Sequence, residues 1–295
     1  MNQGLLYALI ALFLWGIHGP AGRFLALQGV DMYFVFAMRF WIGCCVFFIY
    51  LAFKKALIFS WKDKFWEVFL ISLIGVFGNS LVYHLALIYL PGTFVMILEN
   101  LSPVFVLFAS FYLLKIKPKW KEIIALLISF LGILLIVSGK DKFPELQGGY
   151  YKGIFLGLLT GLSFGFYTFY SGQFVKPYRH SPIHIIQFLF KVFVISGILG
   201  TPFIVISPSK PQTFPQWFWI FEMGIFQSGL AYLFWNYALA HLKTNIVSIL
   251  FLLTILFTTI NEILFLNLKL NIFLITGAIM IIIAGYITSC NRKTN

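Results

Sequence analysis

The residues best suited to chemistry in this sequence are a glutamate and its polar neighbours inside an apolar stretch. Glu99, Asn100 and Pro103 lie within Ile97 to Leu114, a run of otherwise mainly apolar residues. A charged side chain is costly in hydrocarbon, so an acid in such a run is a candidate functional group. Pro103 removes a helical donor and frees carbonyl groups that protein, water or ligand must satisfy. We therefore predict that this stretch carries a binding or proton-exchanging group.

Basic side chains are predicted at the depth of Glu99. His84 precedes Pro91 by seven residues and Glu99 follows Gly92 by seven, which places both about 10 Å below the turn at 1.5 Å per residue. Arg39 reaches roughly the same layer. Two interpretations stay open. Glu99 forms a static pair with Arg39 or His84, or it is a gated carboxylate that binds a substrate ammonium group or a proton.

Further polar and aromatic side chains are candidates for the same site. One group follows helical spacing in the sixth apolar segment and predicts a polar stripe, while amides beside aromatic rings in the eighth suit an organic solute. For the histidine of the first segment a structural role is the alternative to a proton relay, and packing is the alternative for each aromatic ring. These candidates are His18, Asn79, Tyr83, Ser163, Tyr167, Tyr170, Lys191, Gln227, Trp235 and Asn236.

The elements that must position these residues are membrane helices. Hydrophobic residues make up 61% of the chain, charged residues 10%, and the mean hydropathy is +0.94, whereas soluble domains carry about 25% charged residues. Strand-type alternation is absent. The sequence predicts an all-α integral membrane protein with ten helices. Their approximate ranges are 4–27, 32–53, 65–89, 93–114, 120–138, 153–174, 182–206, 216–240, 244–265 and 270–290.

The net charge of +12 is explained by topology. With a cytoplasmic N-terminus, the internal segments hold thirteen Lys and Arg residues and the external loops hold five, which follows the positive-inside rule. We predict a multi-pass protein of the cell (inner) membrane with both termini cytoplasmic and the first helix retained. No loop is long enough for a nucleic-acid-binding face, so we expect lipid and a small-molecule substrate as partners, no nucleic acid, and a monomer or weak homodimer.

The two halves of the chain show internal similarity. At an offset of 152 residues Arg39 falls on Lys191, Tyr83 on Trp235, and Glu99 on Phe251. Five helices in each half mean that the second half enters the membrane from the opposite side, as in the inverted repeats of secondary transporters. We predict a first repeat at 1–139, an external linker at 140–152 and a second repeat at 153–295.

Several segments resemble the EamA-type branch of the drug/metabolite transporter superfamily. They are LFLWGIHGPAGRF (12–24), FAMRF (36–40), NLSPVFVLFASFYLL (100–114), ALLISFLGILLIVSG (125–139), FGFYTFY (164–170), WNYAL (235–239) and TGAIMIIIAG (276–285). The resemblance implies ten helices in two inverted halves, with helices one, three, four, six, eight and nine lining a central cavity. Family members often end helices four and nine with Gly-Glu. Here Leu114-Lys115 and Asn267-Leu268 stand instead, so no coupling role of those glutamates is carried over.

A secondary transporter is the function these observations favour. We expect export of an amino acid or drug-like metabolite by alternating access, with proton coupling, facilitation and exchange left open. Uptake or exchange of a larger, nucleotide-like metabolite is the alternative. No nucleotide-binding motif is present, and we expect no cofactor or metal site. An intramembrane enzyme using His18, His84 and Ser80 or Ser163 is a remote alternative.

One apparent catalytic motif is better explained by packing. Gly161 to Gly165 matches G-x-S-x-G, but that nucleophile motif requires a preceding strand in a soluble sheet. Gly153, Gly157, Gly161 and Gly165 recur every fourth residue. Such a seam lets a neighbouring helix approach closely, so we predict that these glycines serve helix packing.

Overall fold

The computed structural model describes residues 3–57, 60–117, 119–138, 149–267 and 271–289, and these residues fold into helices joined by short connections, with no strand among them. The all-α prediction is confirmed. In chain order the helices are α1 (Gln3–Leu27), α2 (Met32–Phe53), α3 (Phe65–Tyr89), α4 (Gly92–Leu114), α5 (Trp120–Ser138), α6 (Tyr150–Tyr178), α7 (Pro182–Ile206), α8 (214–241), α9 (Thr244–Phe265) and α10 (Ile272–Ser289).

Seven of the described helices are long and apolar enough to cross a membrane, namely α1 to α4, α6, α7 and α9. That α5, α8 and α10 also cross it stays a prediction. The predicted linker 140–152 lies mostly outside the described residues. Residues 150–152 of the predicted linker belong to α6, which begins at Tyr150. Gly149, directly before the helix, has a φ of +77°.

The ends of several helices follow from local chemistry. Asp31 caps α2 by accepting a hydrogen bond of 2.9 Å from a backbone N–H of the first turn. Thr213 and Gln216 form a capping box at the start of α8, which satisfies backbone donors that have no helical partner. At the other end, α4 and α9 stop at Lys115 and Asn267, which adopt left-handed φ values of 57° and 52°.

The two halves of the chain pack extensively on each other. α2 runs antiparallel to α7, since Ala37 lies beside Gly200 and Phe48 beside Phe190. α5 packs on α10. α3 packs on α6 as α1 packs on α8, and α4 packs on α6 as α1 packs on α9. If each helix of the first half is exchanged with its counterpart in the second half, each of these helix pairs becomes another pair that is also in contact. A twofold relation between the halves requires this correspondence.

The glycine seam of α6 is a packing surface, as predicted. A Cβ atom on Gly157 would lie 2.5 Å from the Leu98 side chain, and one on Gly161 would lie 2.8 Å from the Leu98 carbonyl oxygen. On Gly165 it would lie 2.8 Å from the Ser102 carbonyl oxygen. Because these three α6 positions are glycines, the α6 backbone can touch α4 both before and after Glu99.

Candidate functional site

The helices that meet at the centre of the bundle are interrupted there. α1 breaks at Gly16–Ile17 and α4 at Asn100–Leu101, while α9 narrows to a 3₁₀ turn at Phe251–Leu253. α3 and α8 each contain a wider π-helical stretch, at Ile71–Gly78 and Met223–Ala231. Broken helices at the midplane, where backbone groups lose their helical partners, are typical of transporter binding sites. The residues at or next to these irregularities include Trp15, His18, Asn79, Glu99, Tyr232 and Phe251.

A small cavity of about 20 Å³ lies where these interruptions converge. This volume holds about one water molecule, so the cavity is closed in this conformation. Four aromatic rings form much of its wall, and one acidic and one basic side chain face it together. Its lining residues are Trp15, His18, Arg39, Asn79, Met96, Glu99, Phe164, Tyr232 and Phe251.

Glu99 is held in this cavity by an amide. Its side chain is only 4% exposed, and Asn79 donates through Nδ2 to Oε1 at 2.9 Å. The same Nδ2 also donates to the Thr160 carbonyl oxygen of α6 at 3.1 Å. Among the described residues, no Lys, Arg or His nitrogen lies within 4.0 Å of the carboxylate. Glu99 is therefore a buried acid with a polar partner and no ion pair.

Arg39 is oriented by two partners on other helices. Its Nε donates to Ser228 Oγ of α8 at 2.7 Å, and its Nη1 lies 2.5 Å from His18 Nε2. Because a guanidinium nitrogen can only donate, Nε2 of His18 accepts this hydrogen bond. The His18 ring stacks on Tyr83 with centroids 4.4 Å apart. Arg39, 2% exposed, is thus fixed beside the cavity without a carboxylate partner.

The static pair of Glu99 with His84 or Arg39, one of the two interpretations left open by the sequence, is not formed among the described residues. His84 contacts the carbonyl oxygen of Ser80 on its own helix through Nδ1 at 2.7 Å, and its ring lies beside that of His18. Counting equal numbers of residues from the turn places His84 and Glu99 at one depth only if α3 and α4 run in step. The contact observed for Glu99 instead joins residues twelve and seven places from the turn, an offset of about 7 Å along a helix.

Other predicted residues surround the cavity without lining it. Asn236 donates to the Tyr167 hydroxyl at 2.5 Å, and Trp235 packs against the Trp15 ring with centroids 5.3 Å apart. The backbone oxygen of Gln227 accepts a bond of 3.1 Å from Trp15 Nε1. These side chains form a supporting layer that sets the orientation of the cavity wall.

Four predicted site residues lie elsewhere. Asn100 donates to the Met96 carbonyl oxygen and faces α5 and α9. Ser163 is only half-buried, and Tyr170 packs against an apolar cluster of α4 and α6. The α6 residue that lines the cavity is Phe164, which is not part of the predicted polar stripe. Lys191 donates to the Ser60 carbonyl oxygen and lines a separate cavity of about 500 Å³ beside the α6–α7 connection. Its side chain therefore does not occupy a position equivalent to that of Arg39.

Two further acids lie near the helix ends. Glu262, near the end of α9, is 1% exposed and accepts hydrogen bonds from the backbone N–H groups of Gly92 and Thr93. Glu222, half-buried, accepts a bond of 2.8 Å from the Gln227 amide. Among the described residues, no group of three His, Cys, Asp or Glu side chains could hold a metal ion.

Sequence reasoning did not select five lining residues, namely Trp15, Met96, Phe164, Tyr232 and Phe251. One signal was present, because Phe251 is the repeat counterpart of Glu99 and both line the cavity. The others are apolar or aromatic residues in a chain where such residues are abundant. Nothing in their local sequence separates a cavity-facing ring from a lipid-facing one.

The comparisons with known proteins agree with this architecture. A sequence model of the EamA-like transporter family matches residues 2–138 and 151–290. The chain belongs to the EamA-like transporter family. An uncharacterized transporter of Archaeoglobus fulgidus is 29% identical over 75% of this chain and 76% of its own, and an uncharacterized transporter of Clostridium kluyveri is 23% identical over 100% and 96%. A biotin transporter of Escherichia coli is 22% identical over 78% of this chain and 73% of its own.

The fold is shared with a solved structure. A crystal structure superposes with a TM-score of 0.72, covering 97% of this chain and 96% of the other at 17% identity. This EamA-like protein is a multi-pass membrane transporter. Family membership implies transport rather than an enzymatic reaction.

Proposed function

We propose that the protein is a secondary transporter that moves a small zwitterionic solute, an amino acid or an amino-acid-like metabolite, through the central cavity by alternating access. One observation carries the proposal: Glu99 and Arg39 line the same cavity, yet neither is ion-paired within the described residues. A solute with an ammonium and a carboxylate group supplies the missing charge to both. Buried charges require such compensation because desolvation is costly.

The helix ends at the cavity favour the same orientation of the solute. Glu99 is the last residue of the first part of α4, where the helix dipole is negative and attracts a cation. His18 is the first residue of the second part of α1, where the dipole is positive and attracts an anion. The solute ammonium therefore binds toward Glu99 and its carboxylate toward Arg39 and His18.

The walls of the cavity suit an apolar or aromatic body. Trp15, Phe164, Tyr232 and Phe251 surround the two charged groups, with Phe164 and Phe251 stacked at a centroid distance of 4.3 Å. A cavity of about 20 Å³ does not admit such a solute, since pockets for small organic molecules measure about 300 Å³ or more. The halves must therefore separate on one side at a time, as alternating access requires.

The same proposal includes the organisation of the chain in the membrane. The two matched segments of the family and the exchangeable helix pairs support two inverted five-helix repeats, 1–139 and 153–295. The distribution of Lys and Arg supports cytoplasmic termini in the cell (inner) membrane. We propose export as the direction. Glu99 is the candidate for proton exchange if transport is coupled.

Uptake or exchange of a larger metabolite is the second candidate, and the similarity to a protein named biotin transporter favours it. A metabolite that carries a carboxylate but no ammonium group would bind Arg39 and leave Glu99 without a solute partner. The two candidates therefore differ in their dependence on Glu99. Neutralising this acid should abolish transport of an amino acid and leave transport of an anionic metabolite largely intact.

Counterflow in reconstituted vesicles tests the proposal. Growth of an expressing strain on toxic amino-acid analogues and dyes selects the solutes, and labelled tryptophan, threonine and biotin are then compared as counterflow substrates. We expect Glu99→Gln to abolish amino-acid counterflow while expression and thermal stability stay near the parent values. The control Glu67→Gln alters an exposed acid and should transport normally. Normal amino-acid counterflow by Glu99→Gln would refute the role of this acid.

A further inference from the structure

The carboxylate of Glu262 joins the two halves of the chain at one end of the bundle. It reaches from α9 to the first turn of α4, where Oε1 accepts a hydrogen bond of 2.5 Å from the N–H of Gly92 and Oε2 one of 2.8 Å from the N–H of Thr93. The first N–H groups of a helix have no partner within it, and a carboxylate there also interacts favourably with the helix dipole. The group is 1% exposed, so this contact, which we call the outer latch, is a charge-assisted bridge between halves.

Close backbone packing surrounds the outer latch. A Cβ atom on Gly92 would lie 2.4 Å from the Gly19 Cα, so α1 and α4 touch through their backbones at this level. Asn261, next to Glu262, donates to the Gly16 carbonyl oxygen of α1 at 3.3 Å. The Thr93 and Thr259 hydroxyl oxygens are 3.5 Å apart. These contacts seal the bundle between the α3–α4 turn and the central cavity.

A basic side chain makes further contacts at the same end of the bundle. Arg23 of α1 donates to the carbonyl oxygens of Leu87 and Ile88 at the end of α3, at 2.7 and 3.0 Å. Toward the opposite end, α4 and α9 are joined by a neutral hydrogen bond of 3.0 Å between Ser110 and Asn245. Hydrogen bonds to charged groups are stronger than neutral ones. The α4–α9 contact is therefore fastened more strongly at the α3–α4 end.

We propose that Glu262 is a gate residue of transport: its carboxylate holds α9 against α4 in the closed conformation and must release Gly92 and Thr93 before the cavity opens to the outer side. Transport by alternating access, as proposed above, is the premise of this role. The residue touches no cavity-lining group through a hydrogen bond. It sets the balance between outward-open and closed conformations, and solute selectivity resides in the cavity.

Accessibility of the cavity from outside tests this role. A single cysteine, Met96→Cys, is placed in the cavity wall of a chain whose Cys44, Cys45 and Cys290 are replaced by Ser. Its labelling by a membrane-impermeant maleimide is then timed in right-side-out vesicles. Adding Glu262→Gln, whose amide accepts through one oxygen only, should raise the labelling rate at least about tenfold, as expected for loss of one hydrogen bond to a charged group.

Two further variants make the result decisive. Glu262→Asp keeps the charge but shortens the side chain by one methylene, so it should also raise the labelling rate, and it answers the question if Glu262→Gln does not fold. Glu222→Gln removes a half-buried acid whose hydrogen-bond partner lies on the same helix, and the labelling rate of this variant should match that of the parent. Parent-like labelling of both Glu262 variants, or an equal acceleration by Glu222→Gln, would contradict the role of Glu262 as a gate residue.

A cross-link separates failure of the gate residue from failure of alternating access. Cysteines at Thr93 and Thr259 replace hydroxyl groups already in contact and are within reach of a disulfide after a small shift. Once peptide mapping confirms the bond, oxidation should suppress outside labelling of Met96→Cys and reduction should restore it. Unchanged labelling of the cross-linked chain would refute opening at this end and with it the proposed transport cycle. Suppressed labelling together with silent Glu262 variants would refute only the role of Glu262.

Discussion

The bond between Asn79 and Glu99 gives a quantitative test of how the cavity is built. Asn79→Leu keeps the side-chain size but removes the donor that holds the Glu99 carboxylate at 2.9 Å and the Thr160 carbonyl oxygen at 3.1 Å. A hydrogen bond to a charged group is worth about 1.5–3 kcal/mol and a neutral one about 1 kcal/mol. Burial of the leucine at this position, only 6% exposed, returns little, because lipid is as apolar as the protein interior. We expect a net loss of about 2–4 kcal/mol in the free energy of unfolding.

The expected loss is distinctive for a membrane protein. Interhelical hydrogen bonds in a bilayer average only about 0.6 kcal/mol, because the partners find other contacts in the unfolded state. Unfolding in mixed detergent micelles, followed by circular dichroism, measures the difference between Asn79→Leu and the parent chain. The larger value is expected here because the group left behind is a buried acid.

The double variant Asn79→Leu/Glu99→Met gives the control. Replacing both partners with apolar groups of similar size leaves no unpaired acid, so the double variant should be more stable than Asn79→Leu alone. The energy of the pair then appears as a departure from additivity. A loss near 0.6 kcal/mol for Asn79→Leu, or strictly additive effects, would show that the two side chains do not stabilise one another in the way described.

Three further outcomes are expected. Gly161→Ala should lower the free energy of unfolding by about 1–3 kcal/mol, since its Cβ would lie 2.8 Å from the backbone oxygen of Leu98. The control Gly22→Ala crowds the movable end of the Leu87 side chain and should be nearly neutral. Equal thermal stability of the two variants would contradict the close α4–α6 contact. Arg39→Lys should lose amino-acid counterflow despite its retained charge, because an ammonium group does not reproduce the fork that binds His18 and Ser228. In a chain free of its own cysteines, Gln28→Cys should react with an impermeant thiol reagent from outside and Lys62→Cys only after permeabilisation, and the reverse pattern would overturn the topology.

Much of the fold was predictable because hydrocarbon imposes a simple constraint. Every membrane helix needs an apolar run of about 20 residues, and the predicted segments agree with the observed helices to within a few residues. The α6 glycines were also predictable, because a small residue at every fourth position marks one helix face. Glu99 stood out for the same reason, as an acid where apolar residues are required.

The detailed geometry of the cavity was less accessible from the sequence. Pro103 signals the break in α4, but no proline marks the π-helical stretch Ile71–Gly78 in α3 or the corresponding one in α8. The face of each helix was equally hard to assign, since lipid-facing and core-facing residues are both apolar in a membrane. Hydrophobic periodicity therefore did not separate Phe164 from Tyr170, and the repeat offset alone did not show that Lys191 points away from the site.

The proposed position of the transported solute is the cavity between Glu99 and Arg39. Protection of Met96→Cys measures this directly, because the cysteine lies in the cavity wall. Labelling by the impermeant maleimide is timed with and without a saturating amount of an amino acid that the protein exchanges in counterflow, and with an amino acid that it does not exchange. We predict that the exchanged amino acid slows labelling several-fold and that the other leaves the rate unchanged. Equal labelling in both cases, with counterflow intact, would contradict this position and place the solute elsewhere.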